Sequence, residues 1–288
     1  MDRRESKGVL AAALSSLLGG SAVATTRLVI GAIDPLTLAA LRYGIGVACL
    51  AAIVRLAQLR AIAAADRWRI ALLGVLFFAV FPVLFNAALV YTTAARGALA
   101  LATLPLLTLV VAAIARAETL TARKLAGVGL AIGGVALALA GDLGGVPGAW
   151  RGDAVMVATA LTGAVFNVAS RPYLRRYPAL PFTTAAMAAG VAALLVVTAP
   201  SVAAHGLVLG GVQVAAVAYL GVVCAALVFW LWSVGLEHTT PTRVAVTITL
   251  NPVSAMVLGA AMLGEPVTPV LLGGLAAVIG GIVLTTWR

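Results

Sequence analysis

Tyr91-Thr92-Thr93, Arg96, Pro105, Glu118, Thr121 and Gly127 are answered by His238-Thr239-Thr240, Arg243, Pro252, Glu265, Thr268 and Gly274. Each partner lies 147 positions later, with no gap between the pairs. A repeat constrains a fold before any element is assigned, because both copies must build one kind of unit and then pack together. The copies are also apolar throughout. The chain of 288 residues is 63% hydrophobic and 10% charged, with a mean hydropathy of +1.13, where a soluble domain carries about a quarter charged residues. A membrane span needs about 20 apolar residues. Ten segments meet that standard: 8–30, 35–54, 70–91, 96–115, 123–141, 153–170, 180–199, 210–236, 241–263 and 268–287. Five spans per copy is an odd number, so the two copies cross the bilayer in opposite directions. The expected fold is an all-α membrane protein of ten transmembrane helices in two inverted five-helix repeats. The repeats occupy 1–141 and 153–288, joined by a Gly/Pro-rich linker at 142–152.

The net charge of +10 raises the question of nucleic acid, and its placement answers it. With the N-terminus on the cytoplasmic side, 15 of the 19 basic residues fall on that side, from Arg3, Arg4 and Lys7 to Arg243 and Arg288. Arg27, Arg42, Arg96 and Arg151 remain on the other. The positive-inside bias therefore predicts ten spans with both termini cytoplasmic. The basic residues report topology and contact with anionic headgroups rather than nucleic acid. The first apolar run is read as a retained span and not a cleaved leader, because its removal would unbalance the repeat.

Other function classes find little support. Cys49 and Cys224 both fall within spans, which argues against a disulfide. With only His205 and His238 present, no metal spacing exists, and neither a metal nor another cofactor is expected. Intramembrane hydrolysis needs a Ser–His or paired-Asp constellation at membrane depth, and no catalytic residue is assigned.

Each copy carries the same mechanical punctuation. Pro105 and Pro252 sit within the fourth and ninth spans, where each removes a backbone hydrogen bond and loosens the turn before it. Glu118 and Glu265 begin a Glu-x-x-Thr pattern in which Thr121 and Thr268 cap the next helix. Gly127, Gly129, Gly133 and Gly134, with Gly273, Gly274, Gly280 and Gly281, offer small faces for close helix packing.

The candidate lining lies on stripes of spacing four, which keep residues on one helix face. Ser15, Gly19, Val23 and Arg27 form one, and Thr159, Gly163, Asn167 and Arg171 form its counterpart 144 positions later. In the ninth span Thr240, Arg243 or Val244, Thr247, Asn251 and Ser254 make a polar face, whereas Ala100, Leu104 and Leu107 stand opposite the last three. Asn86 and Asn251 need hydrogen-bond partners in the bundle or a water-filled cavity, and interhelical glue serves as well as a solute site. Of Trp230 and Trp232, two residues apart, at most one faces a cavity. Aromatic residues gather in the third span (Phe77, Phe78, Phe81, Phe85) and the eighth (Phe229, Trp230, Trp232).

Taken together, these motifs resemble the drug/metabolite transporter superfamily, in its ten-span branch with two EamA-type repeats. The resemblance covers about 8–287. It rests on the small residues of the first span, Asp34-Pro35 followed by Arg42, the run from Tyr91-Thr92-Thr93 through Thr103-Leu104-Pro105 and Glu118-Thr119-Leu120-Thr121 to Gly127, and the second copy from Glu237-His238-Thr239-Thr240 to Gly274. It implies a bacterial inner-membrane exporter of small metabolites, often amino acids, working through a central cavity between the repeats, with the linker periplasmic. Two departures stand out: Gly19-Gly20 replaces a tryptophan frequent in the first span, and Arg42 has no counterpart in the second copy, where Ala188 occupies the matching region.

The substrate cavity is expected to draw on Ser15, Gly19, Asn86, Thr103, Thr159, Gly163, Asn167, Trp230, Thr247 and Asn251. Arg42, Pro105, Glu118, Pro252 and Glu265 are expected to serve structure or conformational change. Arg42 is expected to tie down a loop by pairing with Asp34. All nine acids lie at segment ends or in loops, so an organic cation would meet no buried countercharge, and a carboxylate-bearing or zwitterionic solute fits better. Multidrug efflux and lipid flipping on the same scaffold stay open, as do proton coupling, exchange and facilitated diffusion. The expected partners are a small solute and the bilayer, with the protein a monomer or homodimer.

Overall fold

The computed structural model describes residues 3–29, 33–92, 94–138, 148–205, 209–251, 254 and 269–286. Helices α1 (Arg3–Val29) and α2 (Pro35–Ile53) are the first two spans. After a short α3 (Leu56–Arg60) comes the third span, α4 (Ala64–Val75) and α5 (Phe81–Tyr91) joined by a π-turn over Leu76–Val80. The fourth is split into α6 (Ala94–Leu101) and α7 (Leu104–Ile114), and α8 (Ala122–Ala138) is the fifth. The second copy opens with α9 (Trp150–Leu174) and α10 (Ala179–His205). Its third member is α11 (Gly211–Gly221) and α12 (Val228–His238) around a π-turn at Val222–Leu227. Then follow α13 (Pro241–Val246), a 3-10 turn at Thr247–Thr249, and α14 (Pro269–Thr286). Five continuous helical stretches among the described residues are long and apolar enough to cross a membrane; α1, α8 and α14 are also uninterrupted, and the breaks fall in the fourth and ninth spans. Pro252 and Glu265 lie outside the described residues.

The interruptions obey the repeat. The two π-turns sit at matching depths, and α5 and α12 begin and end 147 positions apart. In the fourth span, Pro105 stands in the first turn of α7, where its missing N–H needs no partner. The chain breaks just before it, and Thr103 Oγ1 donates to Ala100 O at 2.6 Å. In the ninth span the 3-10 turn replaces that break. There Thr247 Oγ1 donates to Val244 O and Thr249 Oγ1 to Val246 O, each at 2.7 Å. Local hydroxyls thus stand in at the interrupted helix ladder, which in lipid has no water to turn to.

Packing shows the inversion directly. On α8 and α14, a Cβ added to Gly127 would meet Gly281 O, and one added to Gly134 would meet Gly274 O. The numbers rise along one helix as they fall along the other, so the fifth and tenth spans are antiparallel. Each glycine also touches the counterpart of its neighbour, as a two-fold axis between the copies requires. The expected glycine face thus uses Gly127, Gly134, Gly274 and Gly281, while Gly129 and Gly133 meet nothing. A second set says the same. Gly8 of α1 abuts Gly235 O and His238 of α12, and Gly152 of α9 abuts Ala88 O and Thr92 beyond α5. The main core fills the space between α2, α4, α9, α10 and α12 with Phe77, Phe78, Phe166, Phe182 and Tyr43.

Helix starts are held by carboxylates, often from elsewhere. Asp34 accepts from Leu36 N and Thr37 N, capping α2 itself. The first residue of α10, Ala179, instead donates its N–H to Glu237 at the end of α12 (2.9 Å). Glu118 accepts from Thr242 N at the start of α13 (3.0 Å), while its other oxygen takes Lys124 Nζ at 2.6 Å. Glu118 therefore caps across the repeats, whereas Thr121 caps α8 as expected, accepting from Lys124 N. Arg116 places Glu118 there by adopting φ 54° at the end of α7, a left-handed C-terminal turn in which Ala117 N returns to Ala112 O.

Candidate functional site

Between the repeats run two seams that the pseudo-symmetry makes equivalent: α1 against α12 and the ninth span, and α9 against α5 and the fourth span. The first is polar. Ser15 Oγ donates to Val228 O (2.8 Å), and Ser16 shares a hydrogen bond with Thr247 Oγ1 (3.0 Å), both pairs buried. Gly19 faces the side chain of Asn251, whose Oδ1 is buried without a hydrogen-bond partner. Gly20 lies directly against Asn251 O and Ser254.

The second seam is apolar at the equivalent depth. Gly163 faces Leu104, Phe81 and Phe77, and Leu104, Ala160 and Ala245 pack together. Thr159 turns back on its own helix, donating to Val155 O. One polar knot remains. Asn167, fully buried, accepts from Trp232 Nε1 at 2.9 Å and donates to Thr108 Oγ1 at 3.4 Å. Next to it Phe77 stacks on Phe166 with centroids 4.1 Å apart and meets Phe229 edge-on.

Of the residues expected to line a cavity, Ser15, Gly19, Thr247 and Asn251 converge on the polar seam, and Gly163 and Asn167 on the other. Thr103 closes its own helix break. Asn86 departs from the expectation: its Nδ2 donates to Pro35 O at 3.1 Å, tying α5 to the start of α2. Trp230 departs as well. It is 37% exposed, and Trp232 is the buried one of the two. Arg42 does not pair with Asp34. Its Nη2 donates to Cys224 O (2.8 Å), a carbonyl inside the second π-turn, and its guanidinium lies 5.3 Å from the Tyr43 ring centroid. A π-turn leaves carbonyls off the regular ladder, and a long cationic side chain from α2 reaches one of them. Spacing gave no warning of this, nor of Ser16 and Thr108 as partners.

Every described acid is engaged at a helix end. Asp66 accepts from Tyr177 OH and pairs with Arg176, Asp153 accepts from Thr92 Oγ1, Glu5 pairs with Arg243 at 3.3 Å, and Asp34, Glu118 and Glu237 cap helices. Burial raises the carboxyl pKa of Asp34, but its hydrogen bonds to Thr37 and Leu36 outweigh this and hold it below the usual range. No three His, Cys, Asp or Glu among the described residues converge as metal ligands. At the end of the bundle where α1 begins, a cleft of about 380 Å³ is lined by Arg3, Arg4, Lys7 and His238.

Comparison with known proteins matches this arrangement to the EamA-like transporter family twice, over residues 6–140 and 150–287. The chain is 31% identical over 228 residues to a probable terminal-alkyne amino-acid exporter of Streptantibioticus cattleyicolor, covering 78% of this chain and 75% of that protein. It is 25% identical to the uncharacterized transporter YyaM of Bacillus subtilis, covering 93% and 89%. A protein crystal structure superposes with a TM-score of 0.81 at 22% identity, over 98% of this chain and 97% of the other. Two copies of one inverted unit, matched from end to end, make this chain a member of the EamA-like transporter family.

Proposed function

We propose that this membrane transporter exports a small carboxylate-bearing or zwitterionic metabolite such as an amino acid, by alternating access between the two repeats. The observation that carries the reading is the polar seam. Asn251 offers a buried amide oxygen with no partner beside Gly19, within a frame of hydroxyls from Ser15, Ser16 and Thr247. No described carboxylate stands within the bundle to receive a cation. The relative named as an amino-acid exporter supports the same direction. Under this reading the basic side chains of the α1 end face the cytoplasm of a bacterial cell, placing both termini inside, and the two repeats divide at 142–152. Proteoliposomes loaded with labelled amino acids and, separately, with cationic dyes test it. Amino-acid efflux is the expected outcome; dye movement without amino-acid movement overturns it.

A further inference from the structure

Where α1 begins, the last turn of α9 meets the first turn of α13, and the meeting leaves polar groups unsatisfied. The hydroxyls of Ser170, Thr239, Thr240 and Thr242 and the Nε of Arg171 are buried with no hydrogen-bond partner. Ser170 and Thr242 are 0% exposed and Thr239 2%. A buried polar group left unpaired costs about 1–3 kcal/mol, so several gathered at one place point to an absent partner. Each of these groups can donate, the hydroxyls being able to accept as well, and the acceptor beside them that also lacks a hydrogen bond is Glu5 Oε2, which meets Arg243 only as an ion pair. Around them stand four cations, Arg171, Arg175, Arg243 and Lys124, and two carboxylates, Glu5 and Glu118. Lys124 is taken by Glu118, whose second oxygen takes Thr242 N, and Arg243 is taken by Glu5 at 3.3 Å. Arg171 lies in the field of Arg175, Glu118, Arg243 and Glu5 and has no ion pair among the described residues.

We propose that this cluster is a carboxylate-binding site at the mouth of the pathway, in which Glu5 is a resident stand-in for the solute. A carboxylate accepts through both oxygens and donates nothing, which matches a lining of hydroxyls and guanidinium groups. Arg171 presents the planar fork suited to it, and Ser170, Thr239 and Thr242 supply the remaining donors. Glu5, on the first turns of α1, occupies Arg243 while the site is empty; an arriving carboxylate competes for the same guanidinium. Displacing Glu5 frees the start of α1 from the ninth span, which ties occupancy to movement of the polar seam. The inference rests on the transporter reading for its purpose but not for its chemistry.

The test uses the full chain in phosphatidylcholine nanodiscs, titrated calorimetrically with benzoate and with its neutral isostere benzamide. Benzoate is expected to bind and benzamide not. Arg171→Gln is expected to weaken benzoate about tenfold, the order of one charged hydrogen bond, and Thr242→Val, which keeps the side-chain volume, to weaken it less. Glu5→Gln is expected to tighten it, because the internal competitor is gone. A purely structural Glu5–Arg243 pair gives the opposite: Glu5→Gln leaves benzoate unchanged or weakens it, and the proposal falls. It falls too if benzoate does not bind, or if phosphatidylglycerol in the disc displaces it, which makes the ligand a lipid headgroup. Amino-acid efflux unaffected by Arg171→Gln overturns the site and leaves the transport reading intact. Benzoate bound as expected by a chain that moves no amino acid does the reverse.

Discussion

The two seams between the repeats have one geometry and two chemistries. At the depth where α1 presents Gly19 and Gly20 to Asn251 and Ser254, α9 presents Gly163 to Leu104, Phe81 and Phe77, with Ala164 fully buried beside it. Helix approach is so close on the polar side that no Cβ fits at Gly20, while the equivalent Ala164 is accommodated fully buried. Symmetry in the backbone therefore does not require symmetry in the lining. One seam holds the copies together through aromatic packing, and the other keeps hydrogen-bonding groups that packing does not consume.

The strongest way to break this contrast is to copy one seam into the other. Gly20→Ala installs the residue that the second copy uses and drives its Cβ into Asn251 O. Overpacking of this kind costs about 1–3 kcal/mol, so a lowered thermal unfolding midpoint with loss of efflux is expected, whereas Ala164→Gly costs less, about 1 kcal/mol of helix propensity. Equal effects at the two positions would erase the distinction between the seams.

Next in size is Asn167→Leu, which removes the acceptor of the Trp232 indole N–H in the otherwise apolar seam. Leaving that donor buried and unpaired costs about 2 kcal/mol, measured by thermal unfolding, and the tryptophan emission should shift as its partner disappears. Asn251→Leu reproduces Leu104 and separates function from stability. Stability is expected to change by under about 1 kcal/mol, since the amide oxygen has no partner to lose, while efflux drops about tenfold. If efflux survives, the polar seam is not the solute path.

The smallest effect concerns the starts of the second and seventh spans, capped by Asp34 from within and by Glu237 from outside. Asp34→Ala is expected to cost about 1 kcal/mol. Because the Asp34 carboxyl is held below its ordinary pKa, its contribution is fully present above the unfolded value of about 4 and is lost as pH falls through the folded one. Acid unfolding followed in wild type and Asp34→Ala should therefore converge at low pH.

How much of this the residues foretold differs between features. The span number, the inverted repeat and the interrupted fourth and ninth helices follow from hydropathy, matched spacing and proline, which act locally. Ser15 and Gly19 share a face of α1 because spacing four fixes one, while the side chains of Val23 and Arg27 in the same stripe lie outside what is described. The fate of Asn86, Trp230 and Arg42 was not, because each depends on which neighbour the tertiary fold brings within reach. Asn86 is polar in lipid and must find an acceptor, but nothing in the chain says that the acceptor is Pro35 O. Arg42 found a carbonyl in the π-turn of another helix, far away in sequence. Glu118 was readable as a cap, yet the N–H it satisfies belongs to the other repeat.

The π-turns at Leu76–Val80 and Val222–Leu227 also act as keys that set the rotation of everything beyond them. A wide turn holds one more residue than an α-turn, and each residue is worth about 100° of rotation around the helix. Deleting one residue from Val222–Leu227 would heal the helix and at the same time swing Trp232 away from Asn167 and Ser233 away from Thr183, its partner at 2.6 Å. The irregular turn is thus what aims the lower half of the helix, and a straighter, better-bonded span would be a misdirected one.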